Sequence, residues 1–240
     1  MLKLDLLQKL IEAQSDREWG NALTDSAMAL GFEHTLFGVV PNKAQPLESA
    51  FVLTNYPSAW RVAYDQQHLH TVDPTVGHCL GSALPIVWEP ATFTGIQEQQ
   101  FYEQAAAYGL HSGITLPLHG RSGEFGMLSF VSNSRLNTGD NGHLDKLADL
   151  TLLRDYAFES SRKFTVRTAP PGDAVKLTAR ELECLKWVAS GKSSWEVSRI
   201  LGRSEATVNF HLANIMRKFD VGTRQQAVVK AIAAGLVSAG

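Results

Sequence analysis

Cysteine is scarce in this chain: Cys79 and Cys184 stand over a hundred positions apart, with no CxxC partner or Cys/His spacing beside either. That excludes a disulfide framework and a structural zinc site, and leaves two buried, reduced thiols. Long apolar runs are missing as well. No stretch approaches the roughly eighteen residues that a spanning helix needs. The opening MLKLDLLQKLIEAQSDREW has an amphipathic helical pattern with acidic residues in place of the layout of a signal peptide. A cytoplasmic protein with no membrane partner is expected. A strong excess of one charge is also absent, because the total is −2, yet residues 175–240 hold ten Lys and Arg against five Asp and Glu, a balance of +5 that leaves −7 for the rest. A basic C-terminal portion suits a polyanion, although +5 fits an ordinary solvated surface equally.

What is present is enough for two modest domains or one larger one, with 240 residues of which 44% are hydrophobic. Pro170-Pro171-Gly172 interrupts any regular element and marks a linker over 164–175, between domains at 1–163 and 176–240. Before it, the periodicity predicts helices near 3–13 and 16–30, the second opened by the capping box Ser15-x-x-Glu18, then strands near 34–40 and 50–54. Pro57 and Pro74 each fit the first turn of a further helix. A strand at 86–88 and a helix near 97–108 follow, then a hairpin of 113–118 and 126–131 turning at Gly120-Arg121-Ser122-Gly123, and a long helix from about 140 to 163. Hairpin-joined strands flanked by helices at both ends imply an α/β/α sandwich with an antiparallel sheet.

Residues 178–237 read as four short helices. Thr178-x-x-Glu181, Ser193-x-x-Glu196 and Thr223-x-x-Gln226 are capping boxes, Ser204 caps the third helix alone, and Gly191 and Gly202 stand where helices end. In the third helix Val208, Leu212, Ile215 and Phe219 form one apolar stripe, which leaves Ala206, Asn209, Ala213 and Arg217 on the opposite face. Asn209 has the paired donor and acceptor that match an adenine edge, and small Ala206 and Ala213 let a helix lie deep in a major groove. Lys192, Thr207, Lys218 and Arg224 are placed to touch phosphates, which fix position without reading sequence. By these residues alone, a helix-turn-helix and a small helical bundle with a solvated face both remain open. The expected fold class is α+β: the sandwich plus an all-α four-helix unit.

The segment from Leu177 to Leu236, with Glu181, Leu185 and Gly191, resembles the LuxR-type DNA-binding domain along its whole length. The resemblance implies double-stranded DNA with a palindromic operator as partner, RNA polymerase as a second one, and a homodimer paired through Ala227, Val228, Ala231 and Ile232 of the fourth helix. A phosphorylated receiver domain as input would need clustered acids at strand ends, and the early strands end in VVPN and LTNYP instead.

FGVVP, NYPSAWRVAYD, VDPTVGHC, LPIVWEP and PLHGRSGEFGMLS resemble the acyl-homoserine lactone receptors of the LuxR family, with Trp60, Tyr64, Asp73, Pro74, Trp88 and Gly113 at the family's hallmark positions. Such a ligand offers two carbonyl acceptors, one amide donor and an apolar tail, so its site needs about two donors, one acceptor and an apolar tunnel. The resemblance implies that Trp60 donates to the lactone carbonyl, Asp73 accepts the amide hydrogen, and Tyr56 and Ser129 donate to the acyl carbonyl. Thr75 orients Asp73, and Arg61 reaches a 3-oxo group through water. Leu36, Tyr64, Val76, Trp88, Phe93, Phe101, Ala105 and Leu110 line the remainder. Strand alternation adds Phe125 and Met127 on the side of Ser129. The medium- to long-chain 3-oxo class is the expected small-molecule autoinducer. Plainer readings stay open for Trp60, Tyr64 and Trp88 as core aromatics, Asp73 as a helix cap and Ser129 as a satisfied strand hydroxyl. His68, His70, His78 and Cys79 read as structural, so no metal and no cofactor is expected. An enzyme acting on the same lactones would need a G-x-S-x-G elbow or a His/Asp metal cluster, and the sequence has neither.

Overall fold

The computed structural model describes residues 3–42, 45–121, 123–134, 146–168, 175–234 and 236–237, and the chain divides into two compact units, one built from 1–120 and 124–169 and the bulk of the other from 170–240. The start of the long helix expected near 140, Ser122 of the expected turn, and Pro170-Pro171-Gly172 lie outside the described residues.

In the first unit, α1 (Leu4–Glu12) and α2 (Asp16–Ala29) precede β1 (His34–Val40) and β2 (Phe51–Thr54). Ser15 caps α2 by accepting from the Glu18 amide, but the Glu18 carboxylate bonds the Gln14 amide, one residue before the position a capping box requires. Then come α3 (Ser58–Gln66), α4 (Pro74–Gly81), β3 (Ile86–Trp88), α5 (Ile96–Ala107), β4 (Ser112–His119), β5 (Phe125–Ser132) and α6 (Leu147–Thr168). Pro74 occupies the first turn of α4 as expected, whereas Pro57 is the residue before α3. α6 runs on through Thr168, so the first residues of the segment read as a linker are helical.

The sheet is antiparallel throughout, in the order β2-β1-β5-β4-β3. Side chains alternate across it. Phe37, Ile114, Leu116, Leu128 and Phe130 pack with Leu7, Leu10, Trp19, Leu150 and Leu153 of α1, α2 and α6 into the main core. Each such side chain contributes about 1.5–3 kcal/mol on burial. The opposite sheet face packs beneath α3, α4 and α5, which completes the expected sandwich. The β4–β5 turn closes with the Gly120 amide on the Glu124 carbonyl at 2.8 Å, and Gly123 takes φ 92°, a left-handed conformation suited to glycine. Both cysteines are free and buried, and no helix among the described residues is long and apolar enough to cross a membrane.

The second unit contains α7 (Ala179–Ala189), α8 (Ser194–Leu201), α9 (Glu205–Lys218) and α10 (Arg224–Ala233). The three capping boxes form reciprocally, and Ser204 caps α9; each cap contributes about 1 kcal/mol. Val208, Leu212, Ile215 and Phe219 are buried together with Leu185 and Val197. Ala227 and Ala231, expected to pair two subunits, are instead buried in this core, with Val228 and Ile232 packed against it. The apolar stripe of α10 serves its own unit, and Val229, on another side, is exposed.

Candidate functional site

A cavity of about 470 Å³ lies in the first unit between the sheet and α3, α4 and α5. All sixteen residues read from the sequence as ligand contacts line it: Tyr56, Trp60, Arg61, Tyr64, Asp73, Thr75, Val76, Trp88, Phe93, Phe101, Ala105, Leu110, Leu36, Phe125, Met127 and Ser129. One part of its wall is aromatic. Trp60 stands with its ring centroid 5.8 Å from Tyr64 and 5.7 Å from Phe101, and Phe93 stacks near Phe101 and Tyr102. Another part is apolar and largely aliphatic, where Val40, Leu47, Ala50 and Met127 cluster around the Phe125 ring.

Asp73 has two duties. Its Oδ1 caps α4, accepting from the Thr75 amide at 2.9 Å and the Thr75 hydroxyl at 2.7 Å, and its Oδ2 accepts from the Tyr64 hydroxyl at 3.1 Å. Burial raises its pKa above the ordinary carboxylate value, against the pull of those bonds. Burial and the Asp73 charge likewise raise the Tyr56 and Tyr64 phenols, so both keep their hydrogens. The same two causes push the Cys79 thiol up to about 12, which makes it inert. The Trp60 indole N–H has no acceptor among the described residues, although Trp60 is only 2% exposed. Arg61 donates to Asp65 at 2.7 Å with its guanidinium 5.0 Å from the Tyr64 ring centroid.

Thr115, which the sequence reading passed over, organises the floor. The Trp88 indole donates to its hydroxyl at 3.1 Å, that hydroxyl meets Ser129 at 2.8 Å, and Ser129 bonds Tyr56. The register sets this row, with Trp88 opposite Gly113 on β4 and Thr115 opposite Ser129 on β5. An indole nitrogen only donates, and each hydroxyl carries one hydrogen. Three links among four hydrogens leave one hydrogen for an acceptor in the cavity. Gly113 makes room for Trp88, because a Cβ there would lie 2.6 Å from Trp88 Cζ2 and 2.5 Å from the Phe130 carbonyl oxygen. Tyr102, Leu47, Ala50 and Val52 also line the cavity and were not expected. Of these, alternation in the strand expected near 50–54 offered a signal for Ala50 and Val52, which share one face.

On α9 of the second unit, Ala206, Asn209, Ala213 and Arg217 are exposed on one face, as the periodicity requires. Thr207 is tied to Ser204 in the first turn. Lys192 lies 3.6 Å from Glu196, Arg217 donates to Asn214, and Arg224 opens α10. Lys218 departs from its expected role as a phosphate contact. Its ammonium donates to buried Glu181 at 2.6 Å and to the Lys176 carbonyl at 2.9 Å, so it is a strut between α9 and α7. Burial works to raise the Glu181 pKa, but the bonds from Lys218 and Thr178 more than offset that and hold it below the ordinary value.

Residues 15–161 match the family model described as the autoinducer binding domain, and residues 175–231 the one for bacterial regulatory proteins, luxR family. The chain is 32% identical to the transcriptional activator VanR of Vibrio anguillarum, covering 98% of this chain and 97% of that one. To the activator LuxR of Aliivibrio fischeri it is 30% identical, with 97% and 93% covered. Among solved structures it resembles SdiA in complex with octanoyl-rac-glycerol, at a TM-score of 0.75 and 26% identity, with 97% and 93% covered. The chain belongs to the LuxR family as a quorum-sensing transcriptional activator, with an autoinducer-binding domain ahead of a helix-turn-helix DNA-binding domain.

Proposed function

We propose that the cavity binds an N-acyl-homoserine lactone of the 3-oxo, medium- to long-chain class, and that the liganded protein, as a homodimer, binds a palindromic operator and activates transcription by engaging RNA polymerase. One observation carries the ligand reading: a single cavity joins a carboxylate and a set of hydrogen-bearing groups, Trp60, Tyr56 and Ser129, to an apolar pocket. Asp73 accepts the amide hydrogen, and the spare hydrogen of the Tyr56–Ser129–Thr115 row goes to the acyl carbonyl. The Trp60 indole meets the lactone carbonyl, Arg61 reaches the 3-oxo oxygen through water, and the tail runs along β5 past Met127. On DNA, Asn209 reads a base edge beside Ala206 and Ala213, while Lys192, Thr207, Arg217 and Arg224 hold phosphates. The half-sites lie about one helical turn apart.

The test is thermal unfolding of the full chain with acyl-homoserine lactones of graded length, followed by mass spectrometry of the extracted ligand. At a hundredfold excess over its dissociation constant, the cognate lactone stabilises the fold by about 2.7 kcal/mol and is recovered intact. A 1-acylglycerol, the ligand class in the SdiA complex, lacks the amide donor and stabilises less. No shift with any lactone, or a larger one with the acylglycerol, overturns the reading.

A further inference from the structure

Among the described residues, one group of three metal-ligating side chains converges: Glu48, His68 and His70. Glu48 comes from the short 3-10 turn Leu47–Ser49 between β1 and β2, and His70 from the turn Leu69–Thr71 between α3 and α4, with His68 just before it. The same carboxylate oxygen, Glu48 Oε1, lies 3.8 Å from His68 Nδ1 and 3.5 Å from His70 Nε2, and one ligating atom from each residue falls within 4.8 Å of the others. These separations are too long for hydrogen bonds, which close at about 2.7–3.2 Å. They suit groups arranged around a common point. With metal–nitrogen and metal–oxygen bonds of about 2.0–2.1 Å, two ligands of a tetrahedral ion stand about 3.3 Å apart, so Glu48 needs to close on each imidazole by only a few tenths of an ångström, and the ligating atoms of the two imidazoles already lie within 4.8 Å of each other.

The backbone holds the histidines ready. His68 sits at φ 51°, and its carbonyl accepts from both the Thr71 amide at 3.0 Å and the Thr71 hydroxyl at 2.9 Å. A non-glycine residue keeps a left-handed conformation only where its surroundings fix it. Glu48 and His70 also line the cavity, so the group stands at that cavity's edge.

We propose that Glu48, His68 and His70 form a binding site for a divalent ion of the zinc type. Two imidazoles and one carboxylate are the ligand set that such a borderline-soft ion prefers, and they leave a position for water, whereas magnesium and calcium favour all-oxygen sites. The ion fastens the β1–β2 connection to the α3–α4 connection. The second of these leads directly into Asp73, whose amide donates to the Leu69 carbonyl at 2.9 Å.

The experiment is titration of the full chain with Co²⁺, read by its visible absorption, followed by competition with Zn²⁺. One equivalent binds with the bands of an imidazole-containing site, and Zn²⁺ displaces it. Glu48→Gln and His70→Gln each weaken binding by about tenfold or more, since even partners outside the coordination sphere cost 10–100-fold. His119→Asn, away from the group, binds as the parent does. Glu48 is exposed, with 55% of its side chain accessible, so its substitution leaves the fold intact, and melting of both metal-free variants checks this. Equal affinity in the parent and both variants, or no binding below millimolar Co²⁺, overturns the proposal.

Discussion

At the scale of single residues, Asp73 is where the fold and the proposed recognition share the same atoms. Its pKa is raised in the folded protein from an ordinary value near 3.8, so the native state holds the proton more tightly than the unfolded chain does. Stability of the empty protein therefore falls as pH rises from about 3.8 through the raised value, and levels off above it. Asp73→Asn keeps an oxygen for the Thr75 amide and removes the titration. Urea unfolding between pH 4 and 7 should show this decline in the parent and a flatter profile in the variant; equal slopes would place the pH dependence elsewhere. Thr115 shows why part of the site was illegible in the sequence. In GITLPL it looks like any β-branched strand residue, and its partners Trp88 and Ser129 lie 27 and 14 positions away, joined only by strand register.

At the scale of elements, β5 was the most readable. Alternation alone placed Phe125 and Met127 on the side of Ser129, and all three line the cavity. Cutting Met127 to Ala removes three heavy atoms from the cavity wall along which the proposed acyl tail runs. A ligand longer by two methylenes then gains about 1.6 kcal/mol, or roughly tenfold in dose-response relative to the shorter one. An unchanged rank order of acyl lengths in both Met127→Ala and Phe125→Leu would show that these side chains do not bound the tail. On α9 two substitutions separate reading from bracing. Asn209→Ala flattens the preference among operator variants at about 1–3 kcal/mol on the best site, with melting unchanged; equal loss on random DNA refutes base reading. Lys218→Met leaves the Glu181 carboxylate buried without its cation, held by Thr178 alone, and lowers unfolding stability by about 2 kcal/mol. That is less than a fully buried pair loses, because 30% of the Lys218 side chain stays accessible. Periodicity placed both residues on the same helix, yet it could not foresee the ion pair, which spans 37 positions. Nor could it tell whether the stripe of α10 faces its own core or another subunit, because either use produces the same spacing.

At the scale of the whole molecule, the two units were legible in different ways. The second announced its helices through local chemistry, in capping boxes whose members stand three residues apart. The first announced its site through a family resemblance and strand parity, while Glu48 stayed hidden because its neighbours His68 and His70 belong to a connection twenty residues later. A further asymmetry follows from the double use of Asp73. Its carboxylate both caps the start of α4 and faces the cavity, so a mutation made there to alter the proposed head-group contact also disturbs a helix end. The side chains of Met127 and Phe125 cap nothing. Under the proposed ligand reading, lineages carrying this protein can therefore diverge in the length of the signal they answer through substitutions on one strand that touch no helix cap, whereas a change of signal class that replaces Asp73 must also rebuild the start of α4.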